Sequence, residues 1–148
     1  MEKTQRVRAA AAAAVCVIAA ASAACAGDST PPAATGTQLH ATEKEFSISL
    51  DTHTVHAGDI KVTVTNHGAL THEFVAFGTK LADDRLPLKD GDVDENGAGV
   101  THFDPEAENI RPGASKTITL HLPAGQYVLI CNIPGHYKAG MHTELTVS

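Results

Sequence analysis

The sequence predicts an all-β domain built as a sandwich or a barrel. Several short segments between residues 45 and 147 alternate between apolar and polar residues with a period of two. Gly, Pro and Asn, which favour turns, separate these segments. Val, Ile, Thr and Leu dominate the second half of the chain, and such residues favour strands. A length of 148 residues is enough for one domain of this class with short flanking segments.

The first 24 residues have the form of a secretory signal segment. A basic start precedes an apolar, alanine-rich run that is too short for a membrane span. The small residues before Cys25 resemble a bacterial lipobox, in which the cysteine becomes the lipidated first residue, although Ser22 stands where Leu is usual. Cleavage after Ala23 without lipidation is the alternative.

We therefore expect a signal peptide over residues 1–24, with Cys25 lipidated, then a disordered Thr/Pro/Ala-rich tether over 25–39 and a folded domain over 40–148. Either mode of processing places the mature chain outside the cytoplasm, in the cell envelope or periplasm or on the outer face of the cytoplasmic membrane. Removal of residues 1–24 takes away three basic residues and one acidic residue, so the net charge changes from −6 to −8. This acidic balance argues against nucleic acid as a partner.

The predicted strands begin after the tether. In the first of them Phe46, Ile48 and Leu50 share one face, and in a later one Cys131 shares a face with Tyr127. In chain order the predicted strands cover residues 45–50, 54–57, 60–65, 72–77, 116–122, 126–131 and 141–147.

Residues 78–111 break this alternation and predict one long acidic loop that is irregular or partly helical. Residues 92–97 match the first half of an EF-hand calcium loop, but Phe103 occupies the twelfth position, where a bidentate Glu is required. We therefore interpret the region as a solvated acidic loop, with a docking face for a basic partner as the alternative.

The segment between the last two predicted strands carries three metal-ligating side chains. Cys131, His136 and Met141 are spaced Cys-x₄-His-x₄-Met, and His72 begins an earlier strand. Two imidazoles, one thiolate and a weak axial thioether are the ligand set of a blue-copper site. A lone Cys or Met is more often a core residue, but the combination within a strand–loop–strand frame favours copper.

Other metal and cysteine chemistry fits the sequence less well. A dinuclear copper centre needs two thiolates, and multicopper oxidases carry paired His-x-His motifs that this sequence lacks. A cysteine protease needs an accessible, activated thiolate, and zinc sites avoid thioether ligands. These observations favour a single mononuclear copper site.

Residues 131–141, with the strand before them and residues 71–74 upstream, resemble the cupredoxins, and the loop spacing is most similar to that of rusticyanin and sulfocyanin. The resemblance covers roughly residues 40–148. It implies a Greek-key β-sandwich with one type 1 copper per chain that shuttles one electron. Many family members have Asn where Glu73 stands; this carboxylate either lowers the reduction potential or points outward. The ligands that the resemblance implies are His72, Cys131, His136 and Met141.

These inferences predict a monomeric, non-enzymatic electron carrier that meets a redox partner protein transiently and reaches the membrane through its lipid anchor. The loop His of the family lies near the surface, and the predicted docking patch around it consists of Ile133, Pro134, Tyr137 and Ala139. The alternative is a copper-binding module for periplasmic copper trafficking or resistance. A structural domain without metal is the third possibility, and the sequence leaves the choice open.

Overall fold

A computed structural model of the protein describes residues 36–148. The predicted signal segment and residues 25–35 of the predicted tether lie outside the described residues. No helix within 36–148 has the length and hydrophobicity that crossing a membrane requires. The strands are β1 (Thr37–Lys44), β2 (Ser47–Leu50), β3 (Thr54–Val55), β4 (Gly58–Asn66), β5 (His72–Thr79), β6 (Leu88–Lys89), β7 (Asp92–Val93), β8 (Val100–Ile110), β9 (Ser115–Leu122), β10 (Gly125–Ile130) and β11 (His142–Val147).

The strands form two large sheets and one small hairpin. One sheet has the order β2-β1-β4-β9, the other β3-β11-β10-β5-β8, and β6 pairs with β7. Both large sheets are mixed, because β1 runs parallel to β4 and β3 runs parallel to β11. The two sheets share one apolar core, so the prediction of an all-β sandwich is confirmed.

The core between the sheets follows from the period-two alternation of the strands. Ile60, Val62 and Val64 of β4 are buried on one side, and Leu129 of β10 faces them from the other sheet in the same core. Full burial of one such side chain stabilises the fold by roughly 1.5–3 kcal/mol. Cys131 follows β10 on this inner face, so the metal-ligating loop begins within the core.

A second apolar cluster lies on the opposite face of the five-stranded sheet. The other set of alternating residues on β5 and β10 forms its base, and residues 80–99 lie over it. Both faces of β5 and β10 are therefore buried, which explains their nearly unbroken apolar sequences. The buried members of this outer cluster are Val75, Phe77, Leu86, Val93, Val128, Ile130 and Tyr137.

The folded domain begins earlier than the predicted boundary at residue 40. β1 starts at Thr37 and pairs with β4 from that residue onward, and Leu39 is fully buried. The inward positions of β1 after Leu39 are Ala41 and Glu43. A small residue and a carboxylate give no apolar alternation, which explains why the sequence did not predict this strand.

The prediction of an irregular or partly helical loop over residues 78–111 is wrong in detail. Its first part contains the β6–β7 hairpin, and its second part is β8, an edge strand of the five-stranded sheet. The pairing of β8 with β5 shifts register twice, between His72 and Phe74 and between Phe74 and Ala76 of β5. These bulges, together with the polar residues of an exposed edge, remove the regular alternation by which a strand is predicted.

Candidate metal centre

Three of the predicted ligands converge at one end of the sandwich. His72 is the first residue of β5, Cys131 follows β10, and His136 lies in the loop between β10 and β11. The Nδ1 atoms of the two histidines are 3.3 Å apart. The Sγ atom of Cys131 lies 3.3 Å from Nδ1 of His136 and 3.9 Å from Nδ1 of His72.

The size of this triangle fits a single metal ion. Bonds from a metal to imidazole nitrogen and thiolate sulfur are about 2.0–2.3 Å long, so trigonal ligands lie roughly 3.5–3.7 Å from one another. The observed distances between the donor atoms are 3.3–3.9 Å, a range that includes this expected spacing. Met141, the fourth predicted ligand, is fully buried in the same core cluster as Cys131.

Cys131 is a buried thiol on the inner side of this end. Its Sγ accepts the backbone N–H of Glu73 at 3.3 Å. Burial raises the pKa of Cys131 to about 12, so in the absence of a cation the neutral thiol is the stable form. A bound cation would offset this desolvation, as metal ions do for coordinating thiols.

A glutamate that the sequence did not reveal fixes the ring of His72. The Nε2–H of His72 donates to Oε1 of Glu45 at 3.1 Å, which leaves Nδ1 directed at His136 and Cys131. Backbone N–H groups of Leu70 and Ala69, together with the N–H of His72, hold the pKa of Glu45 at about 2. Glu45 is thus the carboxylate that orients a metal-ligating histidine from behind.

The turn before β5 holds Glu45 in place. The Ala69 and Leu70 N–H groups donate to Oε1 of Glu45 at 2.8 and 2.6 Å. Buried Asn66 ties the same turn down, since its Nδ2 donates to the carbonyls of Leu70 and Ile110. A Cβ atom on Gly68 would lie 2.3 Å from the Glu45 carboxylate, so a larger residue here would displace that carboxylate.

The loop over residues 131–141 is held by its own backbone hydrogen bonds. The N–H of Met141 donates to the carbonyl of His136 at 3.1 Å, and the N–H of Cys131 donates to the carbonyl of Met141 at 3.1 Å. Gly140 has φ of +117° and approaches the carbonyl of Phe46 so closely that a Cβ would lie 3.0 Å from it. These contacts place His136 and Met141 on the same side as Cys131.

Residues 80–99 hold the loop from the outer side. The hydroxyl of Tyr137 donates to the carbonyl of Asp83 at 2.7 Å and accepts the N–H of Leu86 at 3.0 Å. Asn132 accepts the N–H of Val93 at 2.8 Å through Oδ1. The acidic region is therefore part of the frame around the metal loop, a role that its composition alone did not indicate.

His136 is only partly buried and lies beneath an apolar surface. Phe46, predicted to lie in a strand on the same face as Ile48 and Leu50, instead precedes β2; it is 43% exposed and stacks edge-on against the His136 ring at 5.3 Å. Of the predicted docking residues, Ile133 is half-buried, and Pro134 and Ala139 are exposed. The prediction that Tyr137 belongs to the docking patch is wrong. Its side chain is only 5% exposed, because the ring packs into the outer apolar cluster.

Two carboxylates lie close behind the ligands. Glu73 follows His72 and lies on the outer face of β5; burial and the neighbouring glutamates 106, 108 and 95 raise its pKa to about 7. Glu43 on the inner side is fully buried, and neither of its carboxylate oxygens has a hydrogen-bond partner. Burial, with a contribution from Glu73, raises the pKa of Glu43 to about 8.

The chemistry of the donor set fits copper. A thiolate and a thioether select soft ions, and imidazole suits both oxidation states of copper. Desolvation and the adjacent His72 lower the pKa of His136. The imidazole therefore stays in the neutral form, which is the form that binds a metal. Among residues 36–148, His72, Cys131 and His136 are the group that combines thiolate and imidazole donors within bonding range of one ion.

Comparison with known proteins identifies a family. The family model for the sulfocyanin (SoxE) domain matches residues 48–148. The chain is 41% identical over 119 residues to the copper-resistant cuproprotein CopI of Pseudomonas aeruginosa, with 63% of this chain and 66% of that protein covered. It is 31% identical over 102 residues to CopI of Rubrivivax gelatinosus, with 65% of this chain and 56% of that protein covered. The matches thus span less than two thirds of the length of either curated relative.

A solved structure supports the same assignment. The dithionite-reduced auracyanin from Roseiflexus castenholzii is 27% identical, with a TM-score of 0.50, and the match covers 78% of this chain and 98% of that one. The resemblance to cupredoxins, with loop spacing of the sulfocyanin type, is thereby confirmed.

Proposed function

The chain belongs to the sulfocyanin (SoxE) domain family, and from this premise we propose that it is a type 1 copper protein that carries single electrons in the cell envelope. The observation that supports this best is the convergence of His72, Cys131 and His136, with donor atoms 3.3–3.9 Å apart, at a closed end of the sandwich. A site of this kind binds one copper ion per chain.

Each ligand has a distinct part in the proposed site. Nδ1 of His72, Sγ of Cys131 and Nδ1 of His136 would hold the copper, and Met141 would supply a weaker thioether ligand. Copper bound there would alternate between Cu(I) and Cu(II). The surrounding residues would hold the ligands still during this change: Glu45 fixes the His72 ring, and the Glu73 N–H donates to the thiolate. Small movement of the ligands favours fast electron transfer.

We propose the surface over His136 as the place where electrons enter and leave. This ligand stacks against Phe46, a member of the apolar patch that we define as Phe46, Leu70, Ile133, Pro134 and Ala139. Phe46 and Leu70 are 43% and 47% exposed, and exposed apolar side chains that are grouped into a patch mark sites of interaction with other proteins. A small apolar patch suits a brief encounter with a redox partner protein.

Electron self-exchange between oxidised and reduced protein, measured by NMR line broadening, tests this role. A Phe46→Glu variant should exchange at least tenfold more slowly, because charge repulsion and desolvation hinder the meeting of two patches. Leu88→Glu is the matched control, since Leu88 is 45% exposed but lies on the β6–β7 hairpin. Equal exchange rates for the wild type and both variants would refute the patch as the exit surface.

A role in copper trafficking or resistance is the second candidate, and the names of the two curated relatives favour it. The two functions differ in how firmly copper is held. An electron carrier should show a reversible reduction potential and keep its copper against a chelator for hours. A trafficking protein should give its copper to the chelator within seconds.

We also propose that residues 1–24 are removed and that Cys25 is lipidated, with the following residues as a tether to the membrane. Mass spectrometry of the membrane fraction should find a mature chain that begins at Cys25 and carries a diacylglyceryl modification. An unmodified chain that begins at Ala24 would show simple cleavage instead. A monomeric state is expected from sedimentation of the copper-loaded protein.

A further inference from the structure

A second group of metal-ligating side chains lies on the outer side of the five-stranded sheet. Glu95 follows β7, and His102 and Glu106 belong to β8. One ligand atom from each of the three lies within 4.8 Å of the other two. None of these residues takes part in the site formed by Cys131 and the two histidines.

The bulged course of β8 brings this group together. In a regular strand, residues four apart are separated by about 13 Å. Here Nε2 of His102 lies 2.8 Å from Oε1 of Glu106. Phe103 and Ala107 of β8 pair with Ala76 and Phe74 of β5, respectively. The longer segment of β8 must therefore bulge, which shortens the distance between His102 and Glu106. Bulges of this kind commonly redirect side chains toward a functional site.

Two of these side chains are oriented by contacts outside the group. The ring of His102 packs against Phe77, with centroids 5.5 Å apart. Nδ2 of Asn132 donates to Oε1 of Glu95 at 3.2 Å. The outer apolar cluster thus holds His102, and the metal loop holds Glu95.

The most informative atom is Nε2 of His102. It is inaccessible to solvent and makes no hydrogen bond, although Oε1 of Glu106 lies 2.8 Å away. The two atoms are close enough for an ion pair, but their mutual direction does not suit a hydrogen bond. A buried imidazole nitrogen without a hydrogen-bond partner costs free energy unless another group binds it.

Two carboxylates, those of Glu95 and Glu106, lie close to this nitrogen and repel each other. Burial and the neighbouring Glu95 carboxylate raise the pKa of Glu106. Within residues 36–148, no Lys or Arg forms an ion pair with Glu95 or Glu106. A divalent cation would satisfy the imidazole nitrogen and relieve the repulsion between the two carboxylates.

We propose that Glu95, His102 and Glu106 form a second metal site that binds a first-row divalent cation of the Zn²⁺ type. One imidazole and two carboxylates suit such an ion, whereas Ca²⁺ and Mg²⁺ favour oxygen ligands throughout. The three side chains are only partly buried, so solvent can supply the remaining ligand. This proposal does not depend on the electron-carrier function.

Zinc binding to the purified, Cu(I)-loaded protein tests the proposal, because copper then occupies the thiolate site and the sample is diamagnetic. Isothermal titration should show one Zn²⁺ bound per chain. In NMR spectra, the Cε1–H signal of His102 should shift more than that of any other histidine. Glu95→Gln and His102→Gln should each weaken Zn²⁺ binding by at least about tenfold.

His121→Gln is the matched control, because His121 also lies 2.8 Å from a carboxylate, Asp59, but has no third ligand within residues 36–148. This variant should bind Zn²⁺ as the wild type does. The proposal is overturned if the copper-loaded protein binds no Zn²⁺, or if the His102 signal stays unchanged while zinc binds elsewhere. The NMR result applies to the wild-type protein, so it stands even if a variant fails to fold.

Discussion

The two faces of the five-stranded sheet support the metal loop in different ways. On the inner face, Cys131 and Met141 are buried in the core between the sheets. On the outer face, Tyr137 packs into the second apolar cluster and hydrogen-bonds to residues 83 and 86. The inner face thus carries donor atoms, and the outer face carries the contacts that hold the loop.

The comparison distinguishes the side chains that bind the metal from the contacts that hold those side chains in position. Ligands are recognised by residue type and spacing, since few side chains bind copper. The outer contacts use backbone carbonyls and N–H groups, as in the bond from Tyr137 to Asp83. Changes on the inner face should therefore abolish or alter metal binding, whereas changes on the outer face should act through stability and loop order.

The largest expected effect is at the inner face. Cys131→Ser should remove the intense visible band of the Cu(II) protein entirely, because a hydroxyl does not supply the sulfur-to-copper charge transfer. Met141→Leu should keep the band and change mainly the reduction potential, since a thioether would be a weak ligand of the copper. Absorption spectra of the copper-loaded variants check both. An intense band that survives Cys131→Ser would show that Cys131 is not a ligand.

The buried carboxyl of Glu43 provides a second test of the inner face, because it should make the stability of the protein depend on pH. The folded protein holds the proton of Glu43 more tightly than the unfolded chain, with a pKa of about 8 against an ordinary value of 4.5. The contribution of Glu43 to stability should therefore be largest below pH 4.5 and be lost as pH rises through 8. At about 1.4 kcal/mol per pKa unit, the loss amounts to roughly 3–5 kcal/mol.

Urea unfolding of the metal-free protein at pH 5 and pH 8.5 measures this effect. The Glu43→Gln variant carries an uncharged side chain of the same shape at this position. It should be more stable than the wild type at pH 8.5, and this difference in unfolding free energy should be smaller at pH 5. The account of Glu43 is wrong if the difference between the two proteins is the same at both pH values.

The outer face is tested by Tyr137→Phe. Loss of the hydroxyl leaves the Leu86 N–H and the Asp83 carbonyl without their partner, which should cost about 1–3 kcal/mol of unfolding free energy. Tyr127→Phe is the matched control, because its hydroxyl donates at 2.7 Å to the carbonyl of Pro123, away from the metal loop.

The two tyrosine variants should differ in the copper site. Tyr137→Phe should broaden the EPR lines of the copper-loaded protein, because the loop has lost an anchor, and Tyr127→Phe should leave them unchanged. Identical spectra in both variants would mean that the outer contacts stabilise the fold without ordering the ligands.

The smallest expected effect concerns the support of His72. Gly68→Ala would place a Cβ 2.3 Å from the Glu45 carboxylate, so the carboxylate must move away from the imidazole. Copper affinity should fall about tenfold, as is typical when a partner of a ligating histidine is lost. Gly125→Ala is the control, since its Cβ would make only ordinary contact at 3.6 Å with Tyr127. Competition with a chelator gives both affinities; equal values would contradict the role of Glu45.

The parts of the molecule that sequence patterns predicted are those with regular alternation or rare side chains. β4, β5, β9, β10 and β11 were expected within a few residues of their bounds, because their inward positions are apolar. β8 was missed because its bulges interrupt the alternation. β1 was missed because Ala41 and Glu43 occupy its inward positions.

The candidate site divides in the same way. The spacing of Cys131, His136 and Met141 is visible in the sequence, and the structure brings the thiol and both imidazoles together. Glu45 lies 27 positions before His72, and only the tertiary fold brings the two together. Tyr137 was expected at the surface because it lies in the loop, but its hydroxyl finds two backbone partners that the sequence does not show.

The central proposal for this protein is one copper ion bound by a thiolate and two imidazoles. The visible and EPR spectra of the wild-type protein after addition of one equivalent of Cu(II) test it most directly. We predict an intense blue or green band and narrow copper hyperfine splitting, because His72, Cys131 and His136 already surround a volume of the right size. A pale solution with wide hyperfine splitting would show that imidazoles alone bind the copper and would contradict the account.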